Sequence, residues 1–261
     1  MLKPAFRELS AQACQLCPEW QQLPHGEWLK QQVEQALEPI WPRLFGYHLA
    51  SYGSLASQLA RPGCHIRHGV MVSPDMAHPV SAAVNTQHSG GAVKALGIQW
   101  PFAEHSLDAV VTALTIEYEA DPHRLLRELT LSLRPDGYLI LVGCNPFAPA
   151  LLTGWWPRMQ QRYPWPWCGR YFSRARVLDW LALLNFEVVL QPYVGASLLH
   201  PDWQPQPRWL GRLQQRLPGL GSLYVIVARK RELRLTPLRV KKREQKVAGL
   251  NLANQKNIAQ Q

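Results

Sequence analysis

The chain has 261 residues, 47% of them hydrophobic and 18% charged, a composition that excludes a disordered polypeptide and requires a real core. Its net charge of +10 sits at one end: from Arg229 onward there are 10 Lys+Arg against 2 Asp+Glu, leaving 18 against 16 elsewhere. The basic total therefore does not make the body of the chain a nucleic-acid binder, and with no run of ~20 apolar residues no segment is expected to span a membrane.

Five cysteines, an odd and irregularly spaced set with no signal-peptide pattern ahead of them, read as reduced thiols of a cytoplasmic protein. Cys14 and Cys17 form a lone CxxC with no second ligand pair to complete a zinc site, so they read as structural or incidental. Residues 1–40 read as a peripheral helical extension, with Leu29, Val33, Ala36 and Leu37 on the inner face of an amphipathic helix.

The clearest element signals lie between Trp100 and Val142. Asp108 to Leu114 is a short apolar run, the mark of a strand buried on both faces of a parallel sheet. Asp121 and Pro122 open a helix, the one as N-cap and the other at the first helical position. Leu125, Leu126, Leu129 and Leu133 follow at helical spacing, with Arg124, Arg127 and Glu128 toward water. Pro135-Asp136-Gly137 breaks the helix, and Tyr138 to Val142 is a second buried strand. Strand, crossover helix and strand make a βαβ unit, and hence a parallel α/β sheet.

Two acidic positions in this unit carry alternatives. Asp108 reads as the start of a strand held by the neighbouring turn, with a site acid as the other reading. Glu117 and Tyr118 lie just past a strand's carboxyl end, where α/β folds place ligands, and are the catalytic candidates; a solvated glutamate at a helix start is the alternative for Glu117. Residues 143–172, rich in Pro and Trp, read as a lid-like insertion, or as an apolar flap, a partner site or a membrane-surface patch. Ser173 caps a helix that Asn185 ends; strands follow at FEVVLQPYV and at Ser222 to Arg231. Residues 232–261 read as a basic, disordered tail that solubilises the protein or makes weak nucleic-acid contact.

WPF (Trp100 to Phe102), HSLDAVV (His105 to Val111), IEY (Ile116 to Tyr118), DPHRLLREL (Asp121 to Leu129) and LRPDGYLIL (Leu133 to Leu141) resemble the second half of a class I S-adenosylmethionine-dependent methyltransferase domain of the type 11-like group. The resemblance implies an α/β, Rossmann-like, doubly wound and mostly parallel seven-stranded sheet with an antiparallel last strand, over residues 41–231. It implies S-adenosylmethionine as methyl donor, an acceptor left undefined, and catalysis mainly by alignment. Matched to the family pattern, the cofactor positions are Gly46 and Gly53 as turn glycines, His48 nearest the acidic end of the first strand, Met71 and Ser73 in the second, and Leu96 at the adenine position, with Trp100 and Leu114 completing the set. Tyr52 stands where the family has a central glycine. Met71 replaces an Asp that accepts both ribose hydroxyls, which a thioether cannot do, and His48 and Leu96 likewise stand in for carboxylates. A methyltransferase-fold protein without catalysis, kept as a binding or scaffold module, is therefore the alternative.

Overall fold

The computed structural model describes residues 16–74, 91–97, 99–150, 169–200 and 204–232. Its centre is a sheet of β1 (His48–Tyr52), β2 (His68–Ser73), β3 (Ala92–Lys94), β4 (Leu107–Ala113), β5 (Leu133–Cys144), β6 (Phe186–Leu190), β7 (Tyr193–Val194) and β8 (Leu223–Lys230). The strand order is β3-β2-β1-β4-β5-β8-β6, with the two-residue β7 paired to β8 off this seven-strand path. The pairs from β3 to β5 are parallel, and β8 runs antiparallel to β5, β6 and β7.

Successive residues of a strand face opposite sides, and β5 shows it plainly. Ile140 and Val142 join one core layer, while Leu139 and Leu141 join the other. The first layer is closed by α1 (Gly26–Leu37) and the short α2 (Ser54–Ser57), the second by α3 (Pro122–Ser132) and α4 (Arg174–Leu183). A fifth helix, α5 (Arg208–Arg216), precedes the turn that leads into β8. Asp121 caps α3 by accepting from Arg124 N at 3.0 Å, and Ser173 caps α4 by accepting from Arg176 N at 3.3 Å.

Three expectations are revised. Residues 16–40 are not peripheral. Trp20, Leu29, Val33 and Leu37 are buried in the first core layer, and Trp20 Nε1 donates to Leu55 O at 3.0 Å. A parallel sheet has both faces covered, and the single turn of α2 is too small to do this alone. Leu133 is not on the helix but opens β5, because the chain leaves α3 directly in extended conformation. Asp136, with φ of +64°, takes up the turn inside that strand. The stretch FEVVLQPYV divides into β6 and β7, since Pro192 between them has no N–H to give a ladder.

Asp108 is a structural residue. Its Oδ2 accepts from Tyr47 N at 2.7 Å and His48 N at 3.0 Å, and Oδ1 accepts from Arg134 Nη1 at 3.2 Å. Gly46 makes room for it, since a Cβ there would stand 2.2 Å from Asp108 Cγ. Asp108→Ala strands two backbone donors, and a stability loss of about 1–3 kcal/mol is expected, read as a lower urea midpoint at unchanged slope. The centre of the 143–172 insertion (151–168), the tail beyond residue 232 and Cys14 lie outside the described residues.

Candidate functional site at the carboxyl ends of the strands

In an open α/β sheet, ligands lie outside the carboxyl ends of the strands where the strand order reverses. Here β1 leads outward to β2 and β3, and the chain then returns to β4 on its other side. The reversal lies between β1 and β4.

Tyr52 and Gly53 form the carboxyl end of β1. Gly53, at φ of +86°, turns the chain into α2 and donates its N–H to Val72 O at 2.9 Å. Thr115, just past β4, reaches across with Oγ1 at 3.3 Å from Tyr52 O. Ser73 ends β2, buried, and Met71 is buried two residues earlier, paired with Ser51 and Ala92. Leu114 follows β4 at φ of +50°, bonded through its N–H to Val142 O at 2.8 Å.

The other positions implied by resemblance lie elsewhere. Gly46 and His48 are at the amino end of β1, since the strand begins at His48 and ends at Tyr52. His48 is exposed and stacks on His68 with centroids 5.7 Å apart. Leu96 is 49% exposed. Trp100 is a core residue, donating from Nε1 to Ser132 Oγ at 3.0 Å and meeting the Tyr52 ring edge-on at 5.5 Å.

Tyr52 decides what the reversal point can hold. Its side chain is fully buried, and its hydroxyl donates to Glu119, beyond the end of β4, and accepts from the Gly97 N–H, beyond the end of β3. Burial, and then the Glu119 charge, hold the phenol far above its ordinary range, so it stays a neutral donor. Burial likewise raises the Glu119 carboxyl. One aromatic side chain thus ties the ends of β1, β3 and β4 together across the crevice. Among the described residues the groups present do not fit S-adenosylmethionine: the Tyr52 side chain lies in the crevice, and neither Met71 nor Leu96 offers an acceptor for ribose or adenine.

A second cluster lies alongside, toward β5 and β8. Glu117 is buried at 2% exposure, and Oε1 accepts from Cys144 N at 2.7 Å. Oε2 has no hydrogen-bond partner among the described residues. Burial pushes this carboxyl up to about 7, against the opposing pull of the Cys144 and Glu117 N–H groups. The Tyr224 hydroxyl lies over Gly143, is buried without a hydrogen-bond partner among the described residues, and is raised by burial and then by the Glu117 charge. Glu117 O also accepts from Arg170 N at 2.8 Å, which fastens the chain where the described residues resume. Tyr118 is half-buried beside Gly169.

Next to this cluster a narrow pocket is lined by Leu23, Leu29, Leu114, Cys144, Asn145 and Leu199, among others. Asn145 Nδ2 is already bonded to Gly219 O at 2.7 Å and Gly221 O at 2.8 Å, so the walls are chemically apolar. Sequence reasoning named Glu117 but missed Glu119, Tyr224 and the pocket wall at Leu23 and Leu29. The only signal for Glu119 was a second carboxylate two residues after Glu117, and nothing local ties β8 or residues 16–29 to this end of the sheet.

Residues 50–141 match the model of a methyltransferase domain family. The chain is 35% identical over 218 residues to the uncharacterized protein YafS of Escherichia coli (strain K12), covering 83% of this chain and 82% of that one. In fold it resembles a chain of the Haloferax volcanii complex between the Trm112 methyltransferase activator and a methyltransferase. The TM-score is 0.57 at 15% identity, over 80% of this chain and 92% of that chain. It also resembles a SAM-dependent methyltransferase from Thermotoga maritima, with a TM-score of 0.53 at 18% identity, over 78% and 91% of the two chains. Together with the mostly parallel sheet and its antiparallel last strand, these matches place the chain: it belongs to the class I S-adenosylmethionine-dependent methyltransferase-like family.

Proposed function

We propose that this protein is an S-adenosylmethionine-dependent methyltransferase whose acceptor enters the pocket at the carboxyl ends of β4 and β5. Glu117 carries the reading. It is a buried carboxyl just past β4, one oxygen held by the Cys144 N–H and the other unpaired, and Cys144 lines the pocket. A carboxyl raised to about 7 can take a proton near neutral pH, as a general base must. The apolar walls suit an acceptor whose inserted part is uncharged.

The Tyr52 side chain lies at the donor's expected place, so on this reading it leaves the crevice when the donor binds. That same side chain, with Met71 and Leu96 lacking carboxylates, supports a second reading: the fold kept as a binding module without turnover.

Calorimetric or thermal-shift titration with S-adenosylmethionine separates the two. A ligand bound by the folded state alone stabilises it by RT ln(1 + [L]/Kd), about 2.7 kcal/mol at a hundredfold excess over Kd. A saturable shift is expected from the first reading. A flat response at millimolar donor leaves the second.

A further inference from the structure

One exposed flank of α5 has a composition that the methyltransferase reading does not use. Leu210 is buried, and Gln214 Oε1 accepts from Ala196 N at 3.3 Å and Gln206 Nε2 at 2.8 Å, so one side of the helix is fastened to the molecule. The flank beside Leu210 carries Trp209 and Leu213, with Leu217 just past the helix end, spaced four apart and therefore in one stripe. They are 57%, 36% and 55% exposed. Arg212 and Arg216 are exposed alongside them. No Asp or Glu occurs in the sequence between Asp202 and Glu232.

An apolar stripe with arginines beside it calls for an occupant that is apolar in depth and anionic at its surface. A second copy meeting this face would bring the same arginines together, which like charge opposes. A nucleic acid would pair with the arginines but leave the Trp-Leu stripe in water. The stripe is the convex side of a helix rather than a groove, so it offers no pocket for a partner's anchoring side chain, whereas a bilayer surface moulds around a convex helix. Trp suits the headgroup boundary, where its ring is buried and its N–H stays wet.

We propose that the Trp209, Leu213 and Leu217 face of α5 docks the protein onto an anionic lipid bilayer, the helix lying in the interface plane with Arg212 and Arg216 against the headgroups. No helix among the described residues is long and apolar enough to cross a membrane, so the association is peripheral. The turn that follows α5 holds Gly219 and Gly221, the two carbonyls that bind Asn145 of the apolar pocket. The docking face and the pocket are therefore joined through a single side chain.

The test is flotation of the full-length protein with vesicles of phosphatidylglycerol and phosphatidylethanolamine, compared with pure phosphatidylcholine vesicles. The wild type is expected to float with the first and not with the second. Trp209→Ser, Leu213→Ser and Leu217→Ser combined should weaken partitioning by roughly tenfold or more, because several apolar side chains no longer leave water. Arg212→Gln with Arg216→Gln should weaken it by roughly fivefold per arginine. All five side chains are exposed, and an unchanged near-UV circular dichroism spectrum will show that the fold persists. Absence of wild-type flotation overturns the proposal. So does equal flotation of the serine triple variant, since the basic tail alone would then carry the binding. A wild-type dimer in sedimentation velocity that the triple variant converts to monomer also overturns it, by making the face a self-association surface.

Discussion

Tyr52→Ala is expected to lose about 3–5 kcal/mol of stability, as large-to-small changes of buried aromatic residues do, and at the same time to gain affinity for S-adenosylmethionine. The first effect follows from the buried ring packed against Trp100 and from the Glu119 carboxyl and Gly97 N–H that lose their partner. The second follows from occupancy. A donor that must first evict Tyr52 binds with its intrinsic affinity reduced by the small fraction of open molecules, and truncation removes that factor. A gain of at least about tenfold corresponds to an open fraction of a tenth or less. Tyr52→Phe separates the contributions: it keeps the ring in the crevice, so it should lose about 1–3 kcal/mol without the gain in affinity. Urea denaturation reads the first quantity and calorimetry with S-adenosylmethionine the second. Wild-type and Tyr52→Ala proteins of equal measurable affinity would show that the crevice between β1 and β4 is not where the donor goes. Binding by neither would favour a module without methyl transfer.

Glu117 should make the protein less stable as pH rises toward neutrality. Its carboxyl moves from an ordinary value of 4.5 to about 7 on folding, so the folded state holds a proton that the unfolded state gives up. Its contribution is most favourable below about 4.5, declines between 4.5 and 7, and is fully unfavourable above about 7. That displacement corresponds to about 3 kcal/mol. Glu117→Gln keeps an oxygen for the Cys144 N–H but cannot ionise, so the decline should vanish. Urea midpoints of the two proteins should therefore diverge between pH 5 and pH 8, with the variant the more stable at pH 8. If Glu117 also takes the acceptor's proton, the variant loses about 10²–10⁴-fold in turnover with donor binding unchanged. A difference in stability that stays constant from pH 5 to pH 8 would mean that the carboxylate forms without penalty and has no special basicity.

Local chemistry made the central βαβ unit legible. Asp121 and Pro122 announce a helix start in any context, and the leucines at helical spacing have one inner face whichever sheet lies beneath them. The parallel sheet follows from the same unit, because a crossover helix returns the chain to the starting edge of the sheet, so the second strand runs parallel to the first. The antiparallel last strand came through resemblance and is present as β8. The end of α3 was less legible. A Pro-Asp-Gly signal marks a turn, but it does not say whether the turn ends a helix or lies inside a strand, and here Asp136 turns within β5.

The site was legible only where chain position alone sets location. Glu117 and Leu114 follow β4 directly, so identifying the strand located them. Gly46 and His48 lie at the other end of the sheet because their placing depended on where β1 begins, and a five-residue strand tolerates no error of that size.

What the sequence by itself determined was the fold, its parallel centre, and the want of carboxylates at Met71 and Leu96, since these depend on residue type and short-range pattern. What only the tertiary structure decided was the use of Tyr52. Its hydroxyl meets Glu119 across 67 positions of sequence, and no local pattern reports a contact made by bringing the ends of β1, β3 and β4 together. The same holds for Glu117, whose raised carboxyl comes from burial, against the pull of the Cys144 N–H. Burial of that kind is a property of the packed molecule and not of any stretch within it.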